Sequence, residues 1–398
     1  MLRSFRIGNH RSFRDEHELL LMAAYAKDRD ILPVAAIYGA NASGKSNLLT
    51  GLRFMASAVR DSFASWNPGL GVPRRRFALD DDEESPSVFV VELVLEDVRY
   101  TYGFEVNDFE VLDEWLYSYP EGRKRVVFER SLNGVRFGST LGDRAKLELL
   151  SNLLRRNALF LSLAAQSDIA PVLPVRTWFL EALHFRLGDC VQVDEAGIVD
   201  FLDASQADHD TVVDLVRVAD LGISRLFTVS ADGIDGSKLR RLRVEHGVGK
   251  WLFPLADESV GTQSWLGLLP TALTVLRNGG VLVIDEIDAS LHPLLAGRLI
   301  GLFRDAAVNV AQAQLIFTTH DATLLHPPLG DEVLARDEVW FVEKDRETGA
   351  STLYPLTDFK PRSEDNLERR YLAGRYGAVP ELSEDEFSKA ARGVRDEA

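Results

Sequence analysis

The chain has 398 residues, and its 45 Lys and Arg against 61 Asp and Glu give a formal net charge of −16. With 46% hydrophobic and 27% charged residues it has the composition of a globular protein, and its acidity argues against a surface that binds nucleic acid all over, though not against a local basic groove. The single cysteine, Cys190, excludes an internal disulfide, and no run of residues is long and apolar enough to cross a bilayer. We therefore expect a cytoplasmic protein with no membrane contact.

The first third of the chain predicts a β-rich lobe around a glycine loop. Short strands are expected at 2–7 and 17–22, and Val34–Tyr38 is an apolar, β-rich run that stops at glycine, as a buried strand does. A helix should follow, from Lys45 to about residue 58. Between residues 87 and 137, alternating segments separated by Glu-Gly and Asn-Gly turns predict an antiparallel meander.

The remainder predicts helices followed by a second α/β portion. Leucines recur at helical spacing after residue 143, and 177–187 and 211–221 show the same period. A second β segment is expected over 226–253. Two further apolar strand runs, Val281–Ile284 and Gln314–Thr318, come after it.

The strongest motif is Gly39–Ser46, whose sequence GANASGKS is the complete GxxxxGK(S/T) pattern between a predicted buried strand and a helix. In this pattern backbone N–H groups cradle phosphates at the positive end of the helix. We expect Lys45 to reach the β- and γ-phosphates and Ser46 to bind Mg²⁺. The other predicted nucleotide contacts of this segment are Gly39, Asn41, Ser43, Gly44 and Asn47.

Two carboxylates follow the strand run Val281–Ile284. A buried strand beside the phosphate loop brings its carboxyl end to the same edge, so Asp285 is predicted to bind Mg²⁺ and Glu286 to orient or deprotonate the attacking water. Taken alone, an apolar run that ends in Asp-Glu is a common strand end. The presence of the phosphate loop makes the prediction specific.

Two weaker signals flank these carboxylates. His320 ends the next strand run, where it either hydrogen-bonds the γ-phosphate or the attacking water, or serves as a structural hydrogen bonder. Ser259 and Gly261 form a Ser-x-Gly turn before a helix expected to kink at Pro270. That turn is either a second anion-binding helix terminus or an ordinary N-cap.

The order and spacing of these motifs, preceded by Asn9–Phe13 (NHRSF), resemble the RecF/SMC-like branch of ABC ATPases, in particular the stand-alone AAA-type ATP-binding proteins of bacterial phage-defence and abortive-infection operons. The resemblance covers nearly the whole chain. It implies an α/β fold: an ABC-ATPase head with a P-loop α/β core, an antiparallel β subdomain and a helical insertion between phosphate loop and signature motif. The implied units are an N-terminal lobe over 1–140, the insertion over 141–224 and a C-terminal lobe over 225–398.

The resemblance also implies how ATP is held. In this family two heads dimerise head to tail around two ATP molecules, so the signature residues Ser259 and Gly261 would touch the γ-phosphate bound to the other subunit's Lys45. Asp288 would begin a D-loop, Asp288–His292, that crosses the same interface and contacts the nucleotide.

Further roles follow from the same resemblance. Asn9 and Arg11 would contact the nucleotide. The implied catalytic residues are Lys45, Glu286 and His320. The positions that depart from the family pattern are Ala42, where many relatives have glycine, Glu258 and Val260 in the signature, and His292 in the D-loop.

Several segments bear on partners. Residues 368–380 resemble the C-terminal signature of the defence ATPases, whose effectors are often separate proteins, or are simply a helix end and a turn. The insertion lacks the heptads of a long coiled coil, and the residues after His320 show no Asp-x-Asp strand end of a nuclease. Basic clusters are mostly solvated faces and form a DNA track only if several converge. These clusters are 74–76, 123–125, 155–156 and 238–243.

We therefore expect an ATPase with ATP and Mg²⁺ as cofactors, slow and regulated, that forms a homodimer or higher homo-oligomer. The favoured hypothesis is a sensor or switch in antiviral defence that controls a separate effector protein. The alternative is a RecF-like DNA-repair or recombination ATPase that binds DNA in an ATP-dependent way. A membrane-transporter ATPase is a distant third, because the NHRSF pattern and the long insertion do not suit it.

Overall fold

The structure is a computed structural model of the chain. It describes residues 1–25, 30–80, 84–139, 141–142, 144–167, 169–188, 193–219, 222–232, 238–247, 249, 251–326, 332–362 and 364–380. Cys190, for which the sequence predicts no disulfide, lies outside the described residues.

Strands and helices are numbered in chain order. The strands are β1 (Leu2–Gly8), β2 (His17–Leu20), β3 (Val34–Tyr38), β4 (Ser87–Leu95), β5 (Val98–Val106), β6 (Val111–Tyr119), β7 (Arg125–Ser131), β8 (Gly134–Phe137), β9 (Leu183–Arg186), β10 (Ile223–Asp232), β11 (Lys238–His246), β12 (Leu252–Pro254), β13 (Val281–Ile284), β14 (Gln314–Thr319), β15 (Val339–Lys344) and β16 (Ser351–Pro355). The α-helices are α1 (Lys45–Asp61), α2 (Arg144–Leu153), α3 (Phe160–Gln166), α4 (Leu173–Thr177), α5 (Glu195–Ala204), α6 (Gln206–Val218), α7 (Val260–Asn278), α8 (Ile287–Ser290), α9 (Pro293–Arg304) and α10 (Leu367–Leu372).

The strand before the glycine loop, β3, lies inside a six-stranded sheet of order β16-β15-β3-β14-β13-β9. From β15 to β9 the neighbouring strands run parallel, and β16 pairs antiparallel with β15. Parallel strands end at the same edge of a sheet. The segments that follow β3, β13 and β14 therefore emerge side by side.

Alternation along β3 divides the protein into two hydrophobic cores. Ala35 and Ile37 belong to the core shared with α1 and the antiparallel sheet, whereas Val34, Ala36 and Tyr38 belong to the core shared with α7 and α9. All five residues are buried. This two-sided burial explains why β3 is a continuous apolar run in the sequence.

The second large sheet is antiparallel and has seven strands in the order β2-β1-β4-β5-β6-β7-β8. Its residues Phe5, Phe89 and Phe104 share one core with Leu48 and Leu52 of α1. Helix α1 is thus packed against the antiparallel sheet on one side and the six-stranded sheet on the other. A three-stranded sheet, β10-β11-β12, precedes α7 and packs against α5.

The helical prediction for 177–187 is wrong in its second half. Helix α4 and a π-helical turn at Trp178–Ala182 are followed by strand β9 at Leu183–Arg186. Strand β9 pairs in parallel with β13, where it satisfies backbone groups along one side of that strand. Apolar runs this short do not distinguish a buried strand from a helix by their period alone.

The predicted fold class is confirmed. An α/β core carries the glycine loop, an antiparallel β unit lies beside it, and helices α2 to α6 separate the loop from the Ser-x-Gly turn. The division at residues 140 and 224 stays a prediction, and β9 lies inside the segment predicted as an insertion although it pairs in the core sheet. In the part of the chain that the structure describes, no helix is both long and apolar enough to span a membrane.

Candidate nucleotide site

The glycine loop joins β3 to α1 through a conformation that favours glycine. Gly44 has φ 115° and immediately precedes Lys45, the first residue of α1. Among the described residues, no side chain caps this end of α1, and its first turn holds no carboxylate. The N–H groups of that turn therefore leave a positive helix end, which favours a phosphate group as its ligand.

Two serine hydroxyls from distant segments, Ser12 and Ser351, support the glycine loop through hydrogen bonds. The Asn47 side-chain amide donates to Ser12 Oγ at 2.8 Å. Ser351 Oγ lies 2.7 Å from Ser12 Oγ and 2.5 Å from the Ser43 carbonyl oxygen. Because a hydroxyl has one hydrogen, Ser12 donates to Ser351 and Ser351 donates to the carbonyl. A side chain at Gly44 would overlap both hydroxyls, so the close approach also requires glycine there.

Lys45 is buried at the base of the loop. Its Nζ donates to the Gly39 carbonyl at 2.8 Å and to the Ala40 carbonyl at 3.2 Å, and lies 3.1 Å from His320 Nε2. Burial lowers the pKa of Lys45 to about 8. The carboxylates whose charges oppose this shift are those of Glu286, Asp285 and Asp288. A phosphate beside Nζ would stabilise the charged amine further, which favours anion binding here.

One threonine of β14 holds the two carboxylate residues that follow β13. Thr318 Oγ1 donates to Asp285 Oδ1 at 2.6 Å and accepts from the Glu286 N–H at 2.7 Å. Glu286 has φ 51° and ψ 63°, a left-handed conformation that costs a non-glycine residue about 1–3 kcal/mol. Its side chain stays 41% exposed. The strained backbone thus fixes a carboxylate that water can reach.

His320 lies between Lys45 and the carboxylates. Its backbone N–H donates to the two oxygens of Asp288 at 3.2 and 3.3 Å, and its Nε2 is 3.9 Å from Glu286 Oε1. Burial, and then the charge of Lys45, lower the pKa of His320 below its ordinary value. The neutral ring therefore accepts a hydrogen bond from Lys45 through Nε2. Lys45, Glu286, Asp288 and His320 form one contact group, named the Lys45 cluster below.

The predicted contacts Asn9 and Arg11 have different surroundings. The Asn9 side chain accepts from the Phe77 N–H at 2.9 Å and donates to the Ser85 carbonyl at 2.8 Å, so it ties the end of β1 to that segment. Arg11 Nη1 donates to Asn47 Oδ1 at 3.4 Å. Arg11 is therefore connected to the first turn of α1, whereas the hydrogen bonds of Asn9 organise the neighbouring loop.

The remaining loop residues fit a phosphate and its metal ion. Asn41 is exposed at the loop tip, and Ser43 is buried with an Oγ that has no hydrogen-bond partner among the described residues. A buried hydroxyl of this kind needs an acceptor, and a phosphate oxygen can supply one. Ser46 and Asp285 offer a hydroxyl and a carboxylate, oxygen ligands of the type that Mg²⁺ prefers.

The Ser-x-Gly turn, Ser259 to Gly261, forms the start of α7. Ser259 caps α7, with its Oγ accepting from the Thr262 N–H at 3.2 Å. Across the described residues, no hydrogen bond or ion pair joins Ser259 or Gly261 to the glycine loop. Glu258, which departs from the family pattern, pairs with His246 of β11 at 2.7 Å and so anchors the turn to the small sheet. The start of α7 is left exposed.

Sequence reasoning missed two residues of the site. Thr318 is a polar residue at the end of an apolar strand run, and its position on the strand beside Asp285 and Glu286 is the signal that marks it. Ser351 lies 308 residues after Ser43, and nothing in its local sequence indicates a contact with the loop.

The C-terminal segment 368–380 supports the strand that carries the loop. Tyr371 and Tyr376 stack on Phe341, with ring centroids 5.6 Å apart in each pair. Tyr371 also meets Tyr38, the last residue of β3, edge to face at 5.5 Å. The segment is thus the end of α10 followed by turns, in which buried Tyr371 and Tyr376 pack against the core and residues 372–375 are exposed.

Comparison with known proteins places these features in a family. The family model described as AAA domain, putative AbiEii toxin, Type IV TA system matches residues 34–326. None of the curated proteins matches the chain.

Among solved structures, the SMC head domain from Thermotoga maritima has 15% sequence identity and a TM-score of 0.43, covering 89% of this chain and 98% of that chain. The SmcHead bound to the C-winged helix domain of ScpA has 14% identity and a TM-score of 0.45, with 89% and 96% covered. The Pyrococcus furiosus Smc head with an extended coiled coil, bound to the C-terminal domain of ScpA, has 12% identity and a TM-score of 0.44, with 99% of each chain covered.

The matched segment contains most of the site. It begins at Val34, the first residue of β3, and ends at His326, so it includes the glycine loop, the Ser-x-Gly turn, both carboxylates after β13 and His320. The chain therefore belongs to the family of AAA domains described as putative AbiEii toxins of type IV toxin–antitoxin systems, which confirms the AAA-type, abortive-infection family predicted from its motifs.

Proposed function

We propose that this chain binds ATP with Mg²⁺, hydrolyses it slowly, and closes into a head-to-tail homodimer that controls a separate effector protein. The observation that carries the proposal is the Lys45 cluster, which gathers an amine, two carboxylates and an imidazole at the end of the glycine loop. Phosphoryl transfer depends on charge neutralisation and positioning more than on covalent chemistry, and this cluster supplies both.

The loop side of the cluster is suited to hold the phosphates. Lys45 would exchange its present carbonyl acceptors for β- and γ-phosphate oxygens, and Ser43 would gain the acceptor that its buried hydroxyl lacks among the described residues. Ser46 and Asp285 would hold Mg²⁺, which supplies further positive charge to the phosphates. Thr318 would keep Asp285 aimed through its 2.6 Å hydrogen bond.

The carboxylate side of the cluster is suited to act on water. The Glu286 side chain is exposed, and its backbone N–H is held by Thr318. Glu286 would therefore accept a proton from the attacking water. His320, once Lys45 turns to the phosphates, would be free to hydrogen-bond the γ-phosphate or the water. The backbone N–H of His320 is hydrogen-bonded to Asp288 of α8. A movement of His320 would therefore also move α8.

The Ser-x-Gly turn supports closure between two copies. Ser259 makes its described hydrogen bonds within the first turn of α7, and the turn is exposed to solvent. A second copy would bring this positive helix end against the γ-phosphate held by Lys45. The family description names a toxin–antitoxin system, which supports a role in antiviral defence together with a separate protein.

The test combines phosphate release with molecular mass by light scattering. We expect slow turnover by the wild type and about 10²–10⁴-fold less by Glu286→Gln, because general-base help is lost while nucleotide binding remains. With ATP and Mg²⁺, Glu286→Gln should double in mass, and Lys45→Ala should neither turn over nor change mass. A Glu286→Gln variant that binds ATP and stays monomeric would contradict the proposal. A several-fold, salt-sensitive rise in turnover with duplex DNA would favour the RecF-like alternative.

A further inference from the structure

Strand β10 is the longest strand that lies at the edge of a sheet. It has 10 residues, and among the described residues its strand partner is β11 alone. The other edge strands are β2, β8, β9, β12 and β16, which have three to five residues each. A strand edge attracts further strands, and proteins usually keep it short, charged, interrupted by proline or covered. Because β10 is not short, its protection must come from its sequence or its neighbours.

Helix α6 covers only the first part of this edge. His209 Nε2 donates to the Leu226 carbonyl at 3.1 Å, and Arg217 donates to the Ser224 carbonyl at 2.6 and 2.9 Å. A cleft of about 700 Å³ lies between α6 and residues 225–228 of β10. The helix therefore leaves space beside the second half of the strand.

The alternation of the strand shows which backbone groups point away from β11. In an antiparallel pair, consecutive residues direct their N–H and C=O groups to opposite sides of the strand. The register of β10 with β11 is regular from Arg225 onwards, and the Leu226 carbonyl faces α6. Thr228 and Ser230 therefore direct their backbone groups to the same side as Leu226. Among the described residues, none outside β11 hydrogen-bonds the backbone of Thr228 or Ser230. Both residues can thus pair with another strand.

The sequence of this edge lacks the usual protection. Residues 226–231, LFTVSA, contain no charge, no proline and no glycine, and half of them are aromatic or β-branched. Segments of this composition pair readily with copies of themselves. A charged edge would place like charges opposite each other in such a pair, whereas this edge would not. The occupant that fits it is therefore a second copy of the chain, despite the longer-range repulsion from a net charge of −16.

We propose that two copies of the chain pair through their β10 strands, antiparallel about a two-fold axis at Val229. In this register Thr228 of each copy lies opposite Ser230 of the other, and the two residues exchange both of their outward backbone hydrogen bonds. The two Val229 side chains meet across the axis. Because the same edge is used by both copies, the contact closes on itself and assembly stops at two chains.

This contact is separate from closure around ATP. The Ser-x-Gly turn follows β12, which is the opposite edge strand of the same small sheet. Pairing through β10 needs no nucleotide, so it goes beyond the function proposed above. When ATP is bound, it would link closed dimers into larger assemblies.

The test is sedimentation velocity of the full chain without nucleotide at about 0.15 M salt, over roughly 1 µM to 1 mM protein. Wild type and Lys45→Ala should both shift from monomer to dimer in this range. Ser230→Pro should weaken dimerisation at least about tenfold, because proline removes the outward N–H but no hydrogen bond to β11. Ser230→Thr is the matched control: it keeps the N–H and should dimerise as wild type does.

A charge swap at Val229 tests the axis itself. Val229→Lys and Val229→Glu should each stay monomeric, because two like charges would meet across the axis. An equal mixture of the two should dimerise, because the charges are then opposite. Circular dichroism and binding of a fluorescent ATP analogue check that every variant is folded.

Three results would overturn the proposal. They are a wild type that stays monomeric up to about 1 mM, a folded Ser230→Pro variant that dimerises as wild type does, and a Lys and Glu mixture that stays monomeric. Failure of ATP-driven closure would not affect these results, since no nucleotide is present.

Discussion

Thr318 shows how one buried hydroxyl can set the geometry of two carboxylate residues. It donates to the Asp285 side chain and accepts from the Glu286 N–H, so it links the predicted metal ligand to the predicted general base. Glu286 needs that support because its left-handed backbone is strained.

Replacing Thr318 with valine should therefore harm catalysis more than binding. The Glu286 N–H would lose its acceptor, which should lower the free energy of unfolding by about 1–3 kcal/mol. Displacement of Glu286 should lower kcat by about 10²-fold. Thr319→Val is the matched control, because Thr319 is also buried but accepts from the Asp321 N–H at 3.0 Å. Equal kcat values for the two variants, measured by phosphate release, would contradict this role.

His10 is a buried histidine in the NHRSF segment whose ionisation should be visible in stability. Burial, with the charges of Arg11 and Arg75, lowers the pKa of His10 to about 3. The folded protein therefore keeps this ring neutral, while the unfolded chain takes up a proton near pH 6.5. Since the unfolded state then binds more protons, the free energy of unfolding falls as the pH drops below 6.5.

His10→Phe should remove that dependence, because its neighbours Phe54 and Phe89 already form an aromatic environment. Between pH 7.5 and 5, wild type should lose about 2 kcal/mol more than the variant in the free energy of unfolding. Denaturant unfolding at both pH values measures the difference. Parallel pH profiles for the two proteins would show that His10 does not contribute.

The glycine loop as an element contains two residues with positive φ, of which only one is glycine. Gly44 has φ 115°, and Ala42 has φ 62° where many relatives carry glycine. Alanine in the left-handed region costs about 1–2 kcal/mol, so Ala42 is a departure with a measurable cost.

Substitutions at these positions should act in opposite directions. Gly44→Ala should lower the free energy of unfolding by about 2–5 kcal/mol and abolish nucleotide binding, because it adds strain and overlaps Ser12 and Ser351. Ala42→Gly should raise the free energy of unfolding by about 0.5–1 kcal/mol, because it relieves the strain. Ala40→Gly is the control: Ala40 has an ordinary φ, so its replacement should lower the free energy of unfolding by a similar amount. Denaturation and ATP-analogue titration measure both effects. Destabilisation by Ala42→Gly would contradict the strain argument.

The elements that could be predicted from sequence are those that local pattern determines. Strands β3 and β13 were predicted to the residue, because each is buried on both faces and bounded by glycine or acidic residues. The glycine loop was predicted because its motif is contiguous. Strand β9 was predicted as helix, because its identity depends on pairing with β13.

Residues that act through long-range contacts escaped prediction for the same reason. Ser351 supports the loop from a distant strand, and Arg11 reaches Arg75 and Asn47 through folding alone. The basic runs were visible in the sequence, but their partners were not. Only the fold shows that Arg74 pairs with Asp108 and that Arg240 and Arg241 pair with carboxylates of α5.

At the scale of the whole molecule, the proposed function divides each ATP site between two copies of the chain. The Lys45 cluster lies at the carboxyl ends of β3, β14 and β13 in the six-stranded sheet. The Ser259 turn lies at the exposed start of α7. In the proposed dimer each ATP would lie between Lys45 of one copy and the Ser259 turn of the other. A protein built this way should hydrolyse ATP only as a pair.

The most direct measurement is ATP hydrolysis by a mixture of Lys45→Ala and Ser259→Arg, each of which should be inactive alone. Only a dimer that contains one copy of each variant holds a complete site, which is one of its two, so the mixture should recover up to about half of the wild-type rate. Ser259 is an exposed N-cap, and its loss should cost only about 1 kcal/mol of stability. A mixture as inactive as its components, or a Ser259→Arg variant that hydrolyses ATP at the wild-type rate, would contradict a shared site.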